Sequence, residues 1–221
     1  GGTPSLLSVS QIESILQTLM GLCHINPEAE ITCELNPGTI TGTLNSDYLS
    51  GLRQTGVNRL SIGVQSFNED KLKFLGRIHS ASEAVQTVDN AAKAGFDNIS
   101  LDLIYGLPKE TKAAWNIELK NALKLNPSHL SCYMLTIENG TPLAADLEKK
   151  FFVPFDRATI AQWFKITSQY LTEAGFEHYE ISNFSRGKEK RSRHNSRYWH
   201  MLPYSGLGAG AHSFDGVLRA W

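Results

Sequence analysis

Three stretches of this chain leave a helix in the same way. Thr55-Gly56-Val57, Ala94-Gly95-Phe96 and Ala174-Gly175-Phe176 each set a glycine between a helical run and an apolar residue that leads into a strand. Glycine there adopts the left-handed conformation that ends a helix without a Cβ clash, and the apolar residue packs back on the last turn. Strands are expected to begin near residues 30, 59, 98, 129 and 178, the spacing of successive βα units. The pattern favours an α/β fold, an open sheet or partial barrel, over an all-helical or all-β one.

The segments between these exits supply the elements. Ser10 and Glu13 read as a capping box for a first helix that ends near Gly21. Ile31 to Leu35 then reads as a short buried strand stopped by Asn36-Pro37-Gly38, and Asn45 as the cap of a second helix. The run Arg59-Leu60-Ser61-Ile62-Gly63-Val64-Gln65-Ser66-Phe67 is a central strand with Gln65 at its carboxyl end, and Gly63 leaves room for a bulky group to approach the backbone. Ser80 and Glu83 form another capping box, Thr111 caps the helix bearing Trp115, and a long helix spans about Asp156 to Ala174. Strands are expected at Ile99 to Tyr105, Leu130 to Leu135 and His178 to Ile181, followed by a mobile Ser/Arg/Lys/Gly-rich loop.

With 221 residues and a net charge of −1, the chain can bury a large core and shows no global basic field for nucleic acid. No apolar run has the length of a membrane span and the amino end is no signal peptide, so the expected location is cytoplasmic. Cys23, Cys33 and Cys132 are odd in number and far apart, which argues against a disulfide framework or a local metal site.

Polar residues at the carboxyl ends of barrel strands converge on one mouth. Here those positions offer Glu34, Gln65 and Asp102, with Arg77 beyond. Two acids and an amide suit ribose hydroxyls and an ammonium, and an arginine suits a carboxylate. A ribose-bearing zwitterion such as S-adenosylmethionine satisfies the set. On chemistry alone a phosphosugar fits nearly as well.

The motifs narrow this choice. Gly1-Gly2-Thr3-Pro4-Ser5, Glu34-Leu35-Asn36-Pro37, the Arg59 to Phe67 run, Leu75-Gly76-Arg77-Ile78-His79 and Asp102-Leu103-Ile104-Tyr105-Gly106-Leu107-Pro108 occur in that order. Together they resemble the radical S-adenosylmethionine (SAM) family of oxygen-independent coproporphyrinogen III oxidases and their relatives, the HemW-type haem chaperones. The resemblance implies a partial (β/α)6 TIM-like barrel, incomplete at the N-terminus, over residues 1–175, and a flanking extension over 176–221. It implies that the Gly1-Gly2-Thr3 turn meets the methionyl amino end of SAM, Arg77 its carboxylate, and Glu34, Gln65 and Asp102 the ribose region. Tyr179 to Phe184, His194-Asn195-Ser196-Arg197-Tyr198-Trp199 and Gly206 to Ser213 look like the chaperone branch, in which the His-Asn-x-x-Tyr-Trp motif is associated with haem. That points to His194 as a ligand to haem iron, with His200 and His212 as lesser candidates and His24 and His129 as structural or solvated. The basic residues Arg186, Lys188, Lys190, Arg191 and Arg193 could steer porphyrin propionates.

One departure matters. The family's Cys-x-x-x-Cys-x-x-Cys loop for a [4Fe-4S] cluster is absent, and none of the three cysteines substitutes at that spacing. The chain as given is therefore expected neither to bind the cluster nor to cleave SAM, and to be a fragment or a truncated product. The expected function is a haem chaperone serving haem-dependent respiratory enzymes, with haem as ligand, membrane association only through partners, and dimerisation left open. The rivals are oxidative decarboxylation of coproporphyrinogen III and an inactive SAM-binding remnant.

Overall fold

The computed structural model describes residues 3–40 and 44–220. Its elements run α1 (Val9–Leu22), β1 (Thr32–Leu35), α2 (Leu44–Gln54), β2 (Arg59–Gln65), α3 (Glu69–Phe74), α4 (Ala81–Lys93), β3 (Ile99–Tyr105), α5 (Lys112–Lys124), β4 (His129–Met134), α6 (Pro142–Glu148), α7 (Arg157–Glu173), β5 (Glu177–His178), β6 (Asn183–Ser185), α8 (Arg193–Trp199), β7 (Ser213–Phe214) and β8 (Arg219–Ala220). The six-stranded sheet has the order β1-β2-β3-β4-β6-β5. Strands β1 to β4 are parallel, and β6 runs antiparallel to both β4 and β5. The expected α/β architecture with helical crossovers is present.

The strands alternate strictly in character. Cys33, Leu35, Leu60, Ile62, Val64, Leu101, Leu103, Leu130 and Cys132 are buried in the core that the helices cover. Successive side chains of a strand point to opposite faces. The intervening residues, Glu34, Ser61, Ser100 and His129, therefore share the other face, and the register places them side by side across four strands. The interior is thus polar, where barrels usually stack branched apolar layers. On the helical side, Trp115 of α5 is fully buried and its indole N–H donates to Thr167 Oγ1 of α7 at 2.8 Å.

Several boundaries differ from the sequence reading. The first helix is capped two residues earlier, by a capping box of Ser8 and Gln11 instead of Ser10 and Glu13. The earlier pair also has Leu7 and Ile12 as flanking apolar residues, and both pack on the core. Asn45 lies inside α2, which begins at Leu44. The last expected strand shortens to Glu177–His178, and the chain after Ile181 is no irregular loop: it turns back as β6, inserted between β4 and β5. The basic run holds this return to the barrel. Arg191 pairs with Glu177, Lys190 with Asp97 at 3.2 Å, Arg186 Nε donates to Pro127 O at 3.2 Å, and Arg193 Nη1 to Glu28 O at 2.6 Å.

His129, fully buried in the interior, links the two halves of the sheet to the closing segment. Its Nδ1 meets Ser100 Oγ at 2.7 Å and its Nε2 meets the Tyr179 hydroxyl at 2.8 Å, while that hydroxyl accepts from Ser192 N, the cap of α8. A neutral imidazole satisfies both contacts. Burial, reinforced by the Arg59 charge, pushes its pKa from 6.5 down to about 3. The unfolded chain therefore binds a proton that the fold refuses, and stability falls as pH drops from 6.5 toward 3. His129→Gln should flatten that slope by up to about 1.4 kcal/mol per pH unit, read from urea unfolding between pH 6.5 and 4. An unchanged slope would mean the imidazole is charged in the fold.

Candidate functional site

The site is built at the carboxyl ends of β1, β2 and β3. Thr3, Glu34, Gln65, Arg77 and Asp102 line a single hollow of about 140 Å³, together with Ser61 and Gly63. Five of the residues expected to hold one ligand thus meet in one place. Gly1 and Gly2 lie outside the described residues.

Each side chain is held by its own local device. Glu34 sits on the edge strand β1 and is exposed. Asp102 accepts from Ser61 Oγ at 3.1 and 3.2 Å, and burial pushes its pKa up. Arg77 follows Gly76, which ends the α3 turn with φ +64°. The Arg77 Nε is buried and has no hydrogen-bond partner among the described residues, and desolvation lowers the guanidinium pKa. A buried, unsatisfied guanidinium edge calls for an anion.

Gln65 carries the most unusual geometry. It ends β2 at a register shift with φ +64°, and Ser66 N donates to Val64 O at 2.8 Å across it. A three-residue turn with positive φ at its centre is rare and strained. Its amide lies across Gly63: a Cβ there would stand 2.8 Å from Gln65 Nε2. The group that uses the space over Gly63 is therefore Gln65 itself, not an incoming ligand.

The strain at Gln65 is held by a buried charge cluster with no local signature in the sequence. Glu118 of α5 accepts from Ser66 Oγ at 2.8 Å and from Phe67 N at 2.6 Å. Lys71 bridges Glu118 at 3.0 Å and Glu110 at 2.5 Å, and Glu110 accepts from Gly106 N at 2.7 Å. One lysine thus ties the loops after β2 and β3 together beneath the hollow. His79 adds a further clamp, donating from Nε2 to Val64 O at 3.1 Å.

Two larger spaces open from the hollow. One, about 1040 Å³, shares Gln65, Arg77 and Asp102 and has an apolar wall of Met134, Phe155, Ile160 and Phe164. The other, about 370 Å³, shares Glu34, Ser61 and Asp102 and reaches His194. Sequence reading missed Ser61, Ser131 and Tyr133, which line this second space. Each lies two residues along its strand from another inward-facing position (Ser61 from Arg59, Ser131 from His129, Tyr133 from Ser131), and that alternation was the available signal. His194 is exposed on the first turn of α8, edge-on to Tyr198 with ring centroids 4.8 Å apart. Glu30 fixes that turn by accepting from the backbone N–H groups of Arg193 and His194 at 3.1 and 3.2 Å. Neither His194 ring nitrogen has a hydrogen-bond partner among the described residues, whereas His200 Nδ1 is occupied by Ser196 O at 2.7 Å.

The cysteines do not fit an iron–sulfur cluster. Cys33 and Cys132 are buried on the helical face, where burial raises both thiol pKa values, Cys33 to about 11, and Cys23 is exposed at the end of α1. Among the described residues no three His, Cys, Asp or Glu side chains gather as a metal site, and no helix is long and apolar enough to cross a membrane.

Residues 1–118 match the Radical SAM superfamily. The chain is 41% identical to the heme chaperone HemW of Synechocystis sp. over 215 residues, 97% of this chain and 51% of that protein. It is also 41% identical to the mitochondrial radical S-adenosyl methionine domain-containing protein 1 of Danio rerio, over 96% of this chain and 47% of that one. The coproporphyrinogen III oxidase HemN of Escherichia coli, a radical SAM enzyme, superposes with a TM-score of 0.80 at 26% identity, covering 100% of this chain and 52% of that structure. The chain spans about half the length of the curated relatives it matches.

The Gln65 turn makes a sharp prediction. Glycine accepts φ +64° freely while alanine does not. Gln65→Gly should be more stable than Gln65→Ala by about 1 kcal/mol or more, measured by chemical denaturation. Equal stability would mean the turn is not strained.

Proposed function

The chain belongs to the radical SAM superfamily, and we propose that it is a haem-binding protein of the HemW type that passes haem to haem-dependent respiratory enzymes. The observation that carries the reading is His194: an accessible imidazole, free at both ring nitrogens among the described residues, lining a polar space continuous with the strand-end hollow. A neutral imidazole is a common axial ligand to haem iron. Tyr198 and Trp199, both exposed on the same helix, offer faces for a porphyrin to stack on.

The strand-end hollow is the SAM site of this reading. Arg77, with its unsatisfied Nε, takes the methionyl carboxylate; Gln65, Glu34 and Asp102 take the ribose hydroxyls and the ammonium. Thr3 lines the same hollow, and Gly1 and Gly2 are assigned with it to the methionyl amino end. Bound SAM would supply a sulfonium there; the three cysteines of this chain do not fit the cluster that the family pairs with it. In this reading the cofactor-binding barrel runs on to Ser185, because β5 and β6 belong to its sheet, and the haem-binding extension follows it.

The enzyme reading, oxidative decarboxylation of coproporphyrinogen III, is favoured by the superposition on HemN. The apolar space of about 1040 Å³ beside the hollow has room for such a substrate. Two experiments separate the readings. Haem titration followed at the Soret band should show uptake that weakens at least tenfold in His194→Ala without change in the circular dichroism; unchanged uptake removes His194 from the site. Anaerobic incubation of coproporphyrinogen III with SAM, a reductant and a form of the protein that carries the [4Fe-4S] cluster should leave the porphyrinogen intact, and release of protoporphyrinogen would establish the oxidase instead.

A further inference from the structure

Arg59 opens β2 on the polar face of the sheet. It is 4% exposed, yet its Nε has no hydrogen-bond partner among the described residues, and no carboxylate among them lies within ion-pair distance. A guanidinium withdrawn from water and left unpaired is costly, so such groups are normally matched by an anion. Arg59 lines the space of about 370 Å³ that His194 also lines.

The two acids of that space do not fill the role. Asp102 accepts from the Ser61 hydroxyl and, although it feels the Arg59 charge, makes no ion pair with it. Glu34 stands on the edge strand and is exposed. Of the five surface cations expected to attract acidic groups, four are engaged: Arg191 with Glu177, Lys190 with Asp97, Arg186 and Arg193 with backbone carbonyls; the fifth, Lys188, does not line this space. An acidic ligand arm that enters this space meets Arg59 as its free cation.

We propose that Arg59 forms a carboxylate-binding subsite in the space beneath His194. It receives one propionate-type arm of the ligand held there; this assignment rests on the haem reading above. A singly charged carboxylate matches the two-pronged donor geometry of a guanidinium. A doubly charged phosphate would face Glu34 and Asp102 across the same space. The volume is at the low end of the roughly 300–1,000 Å³ of small-molecule pockets, room for an acidic arm while the macrocycle stays outside at His194.

Two measurements test this. In protein carrying ¹⁵N-arginine, the Arg59 Nε–H resonance should shift saturably with sodium acetate and not with sodium chloride at the same ionic strength. Haem should bind at least tenfold more tightly than its dimethyl ester, and Arg59→Gln should bring that ratio to about one. An Nε–H resonance that ignores acetate overturns the subsite, and needs no variant that folds. If acetate moves the resonance but neither haem nor its ester binds, the subsite stands and the haem reading fails. If haem and its ester bind the native protein equally well, the propionate assignment is wrong.

Discussion

The two-residue alternation of β1 to β4 governs this molecule. A parallel sheet covered by helices is ordinarily apolar on both faces. Here one face is apolar and carries the core, while the other presents Glu34, Ser61, Ser100 and His129 in one row. Helices can therefore pack on one side only. The other side must be satisfied by hydrogen bonds, by ligand or by water, because buried polar groups without partners are costly. Part of that demand is met internally, through Ser100, His129 and Tyr179. Demand that is not met remains at the Nε of Arg59 and of Arg77, and also at Asn116 Oδ1, Asn183 Oδ1 and Ser185 Oγ, which are buried without a partner among the described residues. The sites follow from where the interior is left incomplete.

Position within the site depends on rigid support from the apolar side. Gln65 is held in a strained turn, and the chain just beyond it is gripped by Glu118, itself anchored on α5 beside the fully buried Trp115 and Leu119. Strain of this kind persists only where surrounding structure over-determines it. The Lys71 bridge between Glu118 and Glu110 couples the β2 and β3 loops, so the amide of Gln65 and the carboxylate of Asp102 keep a fixed relation. At the opposite end, Glu30 and Ser192 fix the first turn of α8 and with it His194.

Much of this was legible in the sequence where the signal is local. The Ser80 and Glu83 capping box, the Thr111 and Asp156 caps and the glycine exits all sit where expected, because each is decided within a few residues. Glu34, Gln65, Arg77 and Asp102 could be grouped because parallel strands deliver their ends to one rim. What failed was non-local. Two overlapping Ser-x-x-acid/amide patterns competed at α1, and packing of Leu7 and Ile12 decided for the earlier. Strand β6 is three residues long and exists through pairing with β4, more than fifty positions upstream. Arg59 read as the entrance to an apolar run, whereas the residues that share its space come from β1, β3, β4 and the start of α8. Glu30 caps a helix that lies 163 residues further along.

Glu34, Gln65, Arg77 and Asp102 line one hollow at the rim of the sheet, and the proposed SAM site rests on that convergence. The most direct measurement is a crystal structure of the protein with S-adenosylmethionine. The methionyl carboxylate is expected on Arg77 and the ribose hydroxyls within hydrogen-bond reach of Gln65 or the two acids. Density for the ligand elsewhere, or none at saturating concentration with the hollow filled by ordered water, would contradict it.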